Sequence, residues 1–218
     1  MKKRVVPGHV LATEIPDVVI QRLPLYQRTL SLMSKEGVEV VSSFRLGELL
    51  GSTPAQIRKD LSYFGRFGKQ GTGYDVSYLA DRVKQILGLE KEWPMALVGV
   101  GRLGQAIARY PGFAAAGFRI VALFDTDPEK VGKRVEGIAI QSVEEMPQAL
   151  KAEDIQIAIL AVPADRAQPV TDLLLEGGVK AILNYAPISL LRVPPDIVVR
   201  SIDPVLVLQS MTFYLNSY

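Results

Sequence analysis

Gly99, Gly101 and Gly104 stand at GxGxxG spacing in LVGVGRLGQA (97–106), directly after the apolar run MALV and ahead of helical periodicity. About 20 residues further on, a second apolar run, VALFD, ends on Asp125. Each residue type has a physical task in such a turn. Gly99 permits the tight bend, Gly101 lets the main chain approach a pyrophosphate, and Gly104 lets the helix pack close to the strand. Val100, Arg102 and Leu103 complete the loop, whose helix start favours negative charge. Asp125 would accept hydrogen bonds from the adenosine ribose hydroxyls and repel a 2′-phosphate, so NAD(H) is expected rather than NADP(H). Tyr110, at the end of the loop helix, joins the candidate cofactor-binding set. The same spacing also fits another adenosine ligand such as CoA, or a glycine turn whose strand-end acid caps the next helix.

Redox chemistry on such a cofactor needs an acid/base beside the substrate, and the chain offers one histidine, His9, near its start. Tyr110 and Tyr185 lack the lysine spacing of a short-chain dehydrogenase, and no substrate domain follows the second strand set. No catalytic residue is therefore expected, and the nucleotide reads as a signal. With no cysteine in the chain, disulfides, thiol nucleophiles and zinc–thiolate sites are excluded, and no metal site is expected. The competing classes are an NAD-dependent oxidoreductase and a CoA-binding module, each with an N-terminal helical domain.

The elements that must position these residues show two textures, meeting near Trp93-Pro94. The 218 residues, 48% hydrophobic and 22% charged, suffice for one large or two small domains. Residues 1–94 carry 14 Lys and Arg against 10 Asp and Glu, a net +4 inside a total of +2. The first half is thus the better partner for a polyanion. Its apolar residues recur at helical spacing, predicting helices over 18–35 (with Pro24 as a late start or kink), 44–50 (capped by Ser43) and 76–87. Between them, TPAQIRKDLSYFG gives Thr53 as N-cap, Pro54 at N1, Gln56 at the capping-box position and Gly65 as a stop. Ile57, Leu61 and Phe64 form the buried stripe of that helix, turning Gln56, Arg58, Lys59, Ser62 and Tyr63 outward. Helix, turn, basic helix and a glycine-rich hairpin bearing Arg66 and Lys69 fit a winged helix-turn-helix on double-stranded DNA. A three-helix packing module with a solvated basic face would look similar.

The second half alternates Val/Ile/Leu-rich runs with helical patterns. Strands are expected at 95–99, 119–124, 138–141, 155–162, 181–184 and 197–201. Helices are expected at 103–110, just after Pro128, 143–150, 166–176 and 204–215. That order is an α/β, Rossmann-type, doubly wound parallel sheet. In PVLVLQSMTFYLNSY, Asp203 and Pro204 give a helix start, and the apolar residues surround too much of the helix for one subunit to cover. A homodimer is expected from this. The charge-free run 204–218 is shorter than the roughly 18 residues of a membrane span, and the basic start lacks a signal-peptide core, so a cytoplasmic protein is expected.

IRKDLSYFG (57–65), FGKQGTGY (67–74), VGVGRLGQA (98–106), YPGF (110–113) and FDTDPEKVG (124–132) together resemble the Rex family of bacterial redox-sensing transcriptional repressors. The resemblance runs from about Val18 to the C-terminus. It implies a winged-helix domain over 16–92 after a basic extension (1–15), a Rossmann domain over 93–203 and a domain-swapped dimerisation helix over 204–218. It also implies binding to AT-rich palindromic operators when the NAD⁺ pool is oxidised, with release by NADH. By the same resemblance Arg58 and Lys59 fall on the recognition helix and Lys69 on the wing. Arg28, Tyr110 and Asp203 fall on an interdomain and intersubunit switch. Gln70 departs from the family's more basic wing, and Pro24 interrupts its first helix.

Overall fold

Val19, Leu23, Tyr26, Leu30 and Met33 recur every three or four residues, so one face of helix α1 (Asp17–Lys35) is apolar and buried. Pro24 lies inside that helix without ending it; it faces solvent, where the carbonyl it leaves unpaired can reach water. The computed structural model describes residues 15–69 and 71–216, in two units, Met1–Lys91 and Glu92–Tyr218. The expected N-terminal extension lies outside the described residues up to position 14. Ile15, counted with that extension, is instead buried in the first core.

After the two-residue strand β1 (Val40–Val41) come α2 (Ser43–Leu50) and α3 (Pro54–Ser62). Ser42 caps α2, its Oγ accepting the Arg45 amide at 3.1 Å, where the sequence pointed to Ser43. Thr53 caps α3 as expected, accepting the Gln56 amide at 3.1 Å. Strands β2 (Gly68–Lys69) and β3 (Gly73–Asp75) form the hairpin, and β1 pairs with β3 to give the order β1-β3-β2. Asp75 then caps α4 (Val76–Ile86) through the Tyr78 amide, 2.7 Å. Leu23, Leu30, Ile57, Val76, Leu79 and Val83 are buried at the centre of this unit. Each such side chain contributes roughly 1.5–3 kcal/mol by leaving water.

The second unit runs β4 (Trp93–Val98), α5 (Arg102–Ala108), α6 (Gly112–Ala115), β5 (Phe118–Asp125), β6 (Arg134–Val135), β7 (Ile138–Ser142), α7 (Met146–Ala152), β8 (Ile157–Leu160), α8 (Ala164–Glu176), β9 (Ala181–Asn184), β10 (Val198–Ser201) and α9 (Pro204–Leu215). The sheet order is β10-β9-β8-β4-β5-β7-β6, parallel except for β6 against β7. Side chains alternate across it: Ala96 and Val98 join Phe124, Leu160 and Leu174 in one layer, Met95 and Leu97 join Leu123, Ile159 and Ile107 in the other. The strand sequence reverses direction between β4 and β8, which opens a crevice at their carboxyl ends.

The helix expected after Pro128 is a turn. Val131 reaches back to the Asp127 carbonyl, but Gly132 adopts φ +86° and sends its amide to Ile140 of β7. Helix α7 begins at Met146 rather than Val143, and neither α6 nor the short β6 was expected.

Candidate nucleotide and nucleic-acid sites

The glycine loop leaves β4 at the crevice. Gly99 adopts φ +92°, and a Cβ there would stand 2.5 Å from the Ala161 carbonyl oxygen, so the loop hugs the end of β8. A Cβ on Gly104 would overlap the carbonyl oxygen of Gly99, which fixes the close approach of α5 to the strand. Gly101 is different: a side chain there would meet open space. Its missing Cβ serves nothing inside the protein, and that fits a main chain kept bare for a ligand.

A pocket of about 310 Å³ lies at this point, lined by Gly99, Gly101, Asp125, Asp127, Lys130 and Arg166 among others. Val98, Ala161, Val162 and Val170 supply its apolar wall. Of the residues expected from the sequence, the structure brings Gly99, Gly101 and Asp125 to this wall. Arg102 and Leu103 are exposed at the start of α5, and Gly104 is buried beneath it. Val100 is buried, and its amide donates to Asp125 Oδ2 at 2.8 Å, so it is not a free donor for phosphate. Tyr110 is 59% exposed and is not on the pocket wall. Its ring meets Phe113 edge-on at 5.2 Å and folds back over Gly112.

Asp125 is nearly buried and does more than the sequence indicated. Its Oδ1 accepts the Asp127 amide at 2.9 Å, while Oδ2 accepts the Val100 amide and the Lys130 ammonium, the latter at 3.1 Å. Burial works against its charge, but the amides of Asp127 and Val100 and the Lys130 ammonium together outweigh it, holding the carboxyl below the usual carboxylate range. Burial opposes the Lys130 charge too, and Asp125 and Asp127 reverse that and raise its pKa. Lys130 was missed in the sequence. The available signal was the Asp-Pro turn at 127–128, which brings a lysine five positions on back over Asp125.

In the first unit, Arg58 and Lys59 project from α3 and are exposed. Arg58 Nη1 donates to Ser43 Oγ of α2 at 2.9 Å. Ser62 is exposed with its hydroxyl on the Lys59 carbonyl, 2.7 Å. Arg66 is exposed at the start of the hairpin, and a concavity of about 730 Å³ runs from Ser42 and Arg58 to Arg66 and Thr72. The Lys69 side chain and Gln70 lie outside the described residues.

Two expected outward residues turn inward. Tyr63 is half-buried against the apolar core. Gln56 is half-buried, its amide nitrogen 2.6 Å from Asp60 Oδ1. Asp60, not singled out from the sequence, is fully buried and also accepts Arg22 Nε and Nη2 at 2.6 and 2.7 Å and the Tyr26 hydroxyl at 2.5 Å. Burial disfavours its charge, and the bonds from Arg22, Tyr26 and Gln56 overcome that, so its carboxyl stays below the usual range. An acid at i+3 from Ile57, in the buried stripe of a basic helix, was the readable signal.

Arg28 is exposed on α1, and Asp203 caps α9 through the Val205 amide at 2.9 Å. Helix α9 has no buried residue; Leu206, Leu208, Phe213, Tyr214 and Leu215 are all exposed. Among the described residues no cluster of potential metal ligands occurs, and no helix is long and apolar enough to cross a membrane.

Comparison with known proteins joins the two sites. Residues 14–62 match the family model described as "Putative DNA-binding protein N-terminus", and residues 90–188 match the CoA binding domain model. A redox-sensing transcriptional repressor Rex of Chloroflexus aurantiacus is 58% identical over 92% of this chain and 94% of its own length. The Rex of Streptomyces coelicolor is 44% identical over 92% of this chain and 77% of its own length. Among solved structures, RSP in complex with β-NAD⁺ and operator DNA superposes with TM-score 0.88 at 38% identity, covering 93% of each chain. RSP with β-NADH superposes with TM-score 0.83 at 36% identity, over 94% of this chain and 95% of its own. With a glycine-loop crevice and a basic helix-turn-helix on one chain, and relatives this close over nearly its whole length, the chain belongs to the Rex family of redox-sensing transcriptional repressors.

Proposed function

We propose that this chain is a cytoplasmic repressor that binds palindromic operator DNA as a homodimer and is released when NADH occupies its second unit. The observation that carries the nucleotide half is the bare Gly101 at the mouth of a crevice walled by Asp125 and Lys130. The DNA half rests on exposed Arg58 and Lys59 on α3 with Arg66 beside the hairpin. Relatives solved with β-NAD⁺ plus operator DNA and with β-NADH support both halves.

Gly99, Gly101 and Gly104 shape the loop that would hold the pyrophosphate, and Asp125, which keeps that loop fixed through the Val100 amide, would accept from the ribose hydroxyls. The cofactor, when bound, supplies a ring that is cationic in NAD⁺ and neutral in NADH. Apolar side chains around such a ring favour the neutral form because the charged one loses hydration. The chain's own residues then act by position. Two copies of α3 must lie about 34–36 Å apart, or a multiple, to meet successive major grooves. A ligand lowers DNA affinity to the extent that it favours another spacing. The exposed apolar surface of α9 is the proposed dimer contact. Arg28, Tyr110 and Asp203 are proposed, from the family resemblance, to carry the signal. No hydride transfer is proposed. The test is fluorescence anisotropy of an inverted-repeat duplex with the protein, titrated separately with NADH, NAD⁺ and NADPH. Release by NADH at the lowest concentration supports the reading, and indifference to NADH overturns it.

A further inference from the structure

Helix α3 carries one acid, and it lies on the side away from solvent. At about 100° per residue, Arg58 and Ser62 fall on the side of the helix opposite Asp60, and Gln56 falls beside it. The Asp60 carboxylate is fully buried, and four hydrogen bonds, three of them from α1, saturate it: Arg22 grips both oxygens, Tyr26 takes Oδ2 and Gln56 takes Oδ1. A two-pronged guanidinium–carboxylate pair fixes orientation as well as distance, because both donors must meet both acceptors at once. The axial rotation of α3 is therefore pinned to α1. On the far side of α3, Arg58 is steadied by Ser43 of α2 at 2.9 Å.

We propose that Asp60 is a positioning residue for operator reading: held by Arg22 and Tyr26, it sets the rotation of α3 so that Arg58 faces the DNA and Gln56 does not. The proposal rests on the reading of α3 as the DNA-contacting helix. It separates positioning from charge, because the two act on affinity with opposite signs. Asp60→Asn removes a negative charge from the DNA-binding unit, which on Coulombic grounds strengthens binding to any duplex. Loss of the pinned rotation weakens binding to the correct sequence.

The experiment uses the full chain and two duplexes: an inverted repeat enriched from a random library by the native protein, and a shuffled duplex of the same length and composition. Affinities for both are measured at one salt concentration for the native chain, Asp60→Asn, Tyr26→Phe and Arg22→Lys, with NADH binding followed by its fluorescence. For Asp60→Asn the expected result is a fall in the ratio of specific to shuffled affinity of about tenfold, the size of a lost base contact, with shuffled binding equal or tighter and NADH binding unchanged. Tyr26→Phe, which keeps the net charge, lowers the ratio in the same direction by less. If Asp60→Asn does not fold, Tyr26→Phe and Arg22→Lys carry the test. A preserved ratio in the folded variants overturns the positioning role. If the native chain enriches no duplex, the DNA-binding reading itself falls and takes this proposal with it.

Discussion

The Lys130 ammonium lies 3.1 Å from Asp125 Oδ2 and 3.4 Å from Asp127 Oδ2, on the wall of the glycine-loop crevice. The expected rejection of a 2′-phosphate by Asp125 assumed a bare carboxylate, and this one is paired. If the crevice holds NAD(H) as proposed, Lys130 should weaken the electrostatic discrimination against NADPH. In Lys130→Met the repulsion from Asp125 and Asp127 is unopposed, so the preference for NADH over NADPH should rise by about tenfold, the order of one close charge interaction at a protein surface. Competitive titration of the two nucleotides checks this, and an unchanged ratio would show that Lys130 only braces the loop.

The three glycines of the loop should respond differently to a methyl group. Gly101→Ala adds a Cβ in open space, so the melting temperature should stay near the native value while NADH affinity collapses. Gly104→Ala drives a Cβ into the Gly99 carbonyl and should destabilise the second unit by about 1–3 kcal/mol or more. Differential scanning calorimetry with and without NADH separates the two.

Acid stability should carry the signature of Asp60. Its folded pKa lies below the unfolded value of about 3.9, so its pairing stabilises the fold fully above roughly pH 5. That contribution is lost as pH falls through the folded value. Urea midpoints measured from neutral pH downward should fall less steeply in Asp60→Asn than in the native chain. Tyr26 gives the opposite sign: burial, then its bond to Asp60, raises its pKa. Its contribution is present below about pH 10 and lost as pH rises toward the folded value. Tyr26→Phe should abolish that alkaline loss.

Helix α9 should behave as an interface. Leu206→Glu combined with Leu208→Glu places charges on side chains that are 62% and 59% exposed in the single chain, so neither change disturbs that chain's core. Sedimentation equilibrium should then show a dimer for the native chain and a monomer for the double variant. A dimer that survives both changes would place the contact elsewhere.

The parallel sheet and the glycine loop were legible because short continuous apolar runs and GxGxxG spacing are local signals. The caps at Thr53 and Asp203 were legible for the same reason. What escaped depends on contacts distant in sequence. Asp60 meets Arg22 across 38 residues and Tyr26 across 34, and those distant partners explain an acid in a buried stripe. Strand β1 is two residues long and exists because β3 lies beside it. The turn at 127–132 begins with helix-like bonds to the Asp127 carbonyl, but Gly132 then bonds to Ile140 of β7, a partner in another strand that the short pattern after Pro128 does not reveal. Gln56 was read as outward because it lies off the Ile57, Leu61 and Phe64 stripe, while Asp60, one turn on, draws its amide inward.

If NADH and operator DNA oppose each other on one protein, linkage fixes how strongly each must weaken the other. NADH affinity should be measured for the free chain and for the chain saturated with its inverted-repeat duplex. DNA should weaken NADH binding by the same factor by which NADH weakens DNA binding. Equal NADH affinity with and without DNA would contradict it.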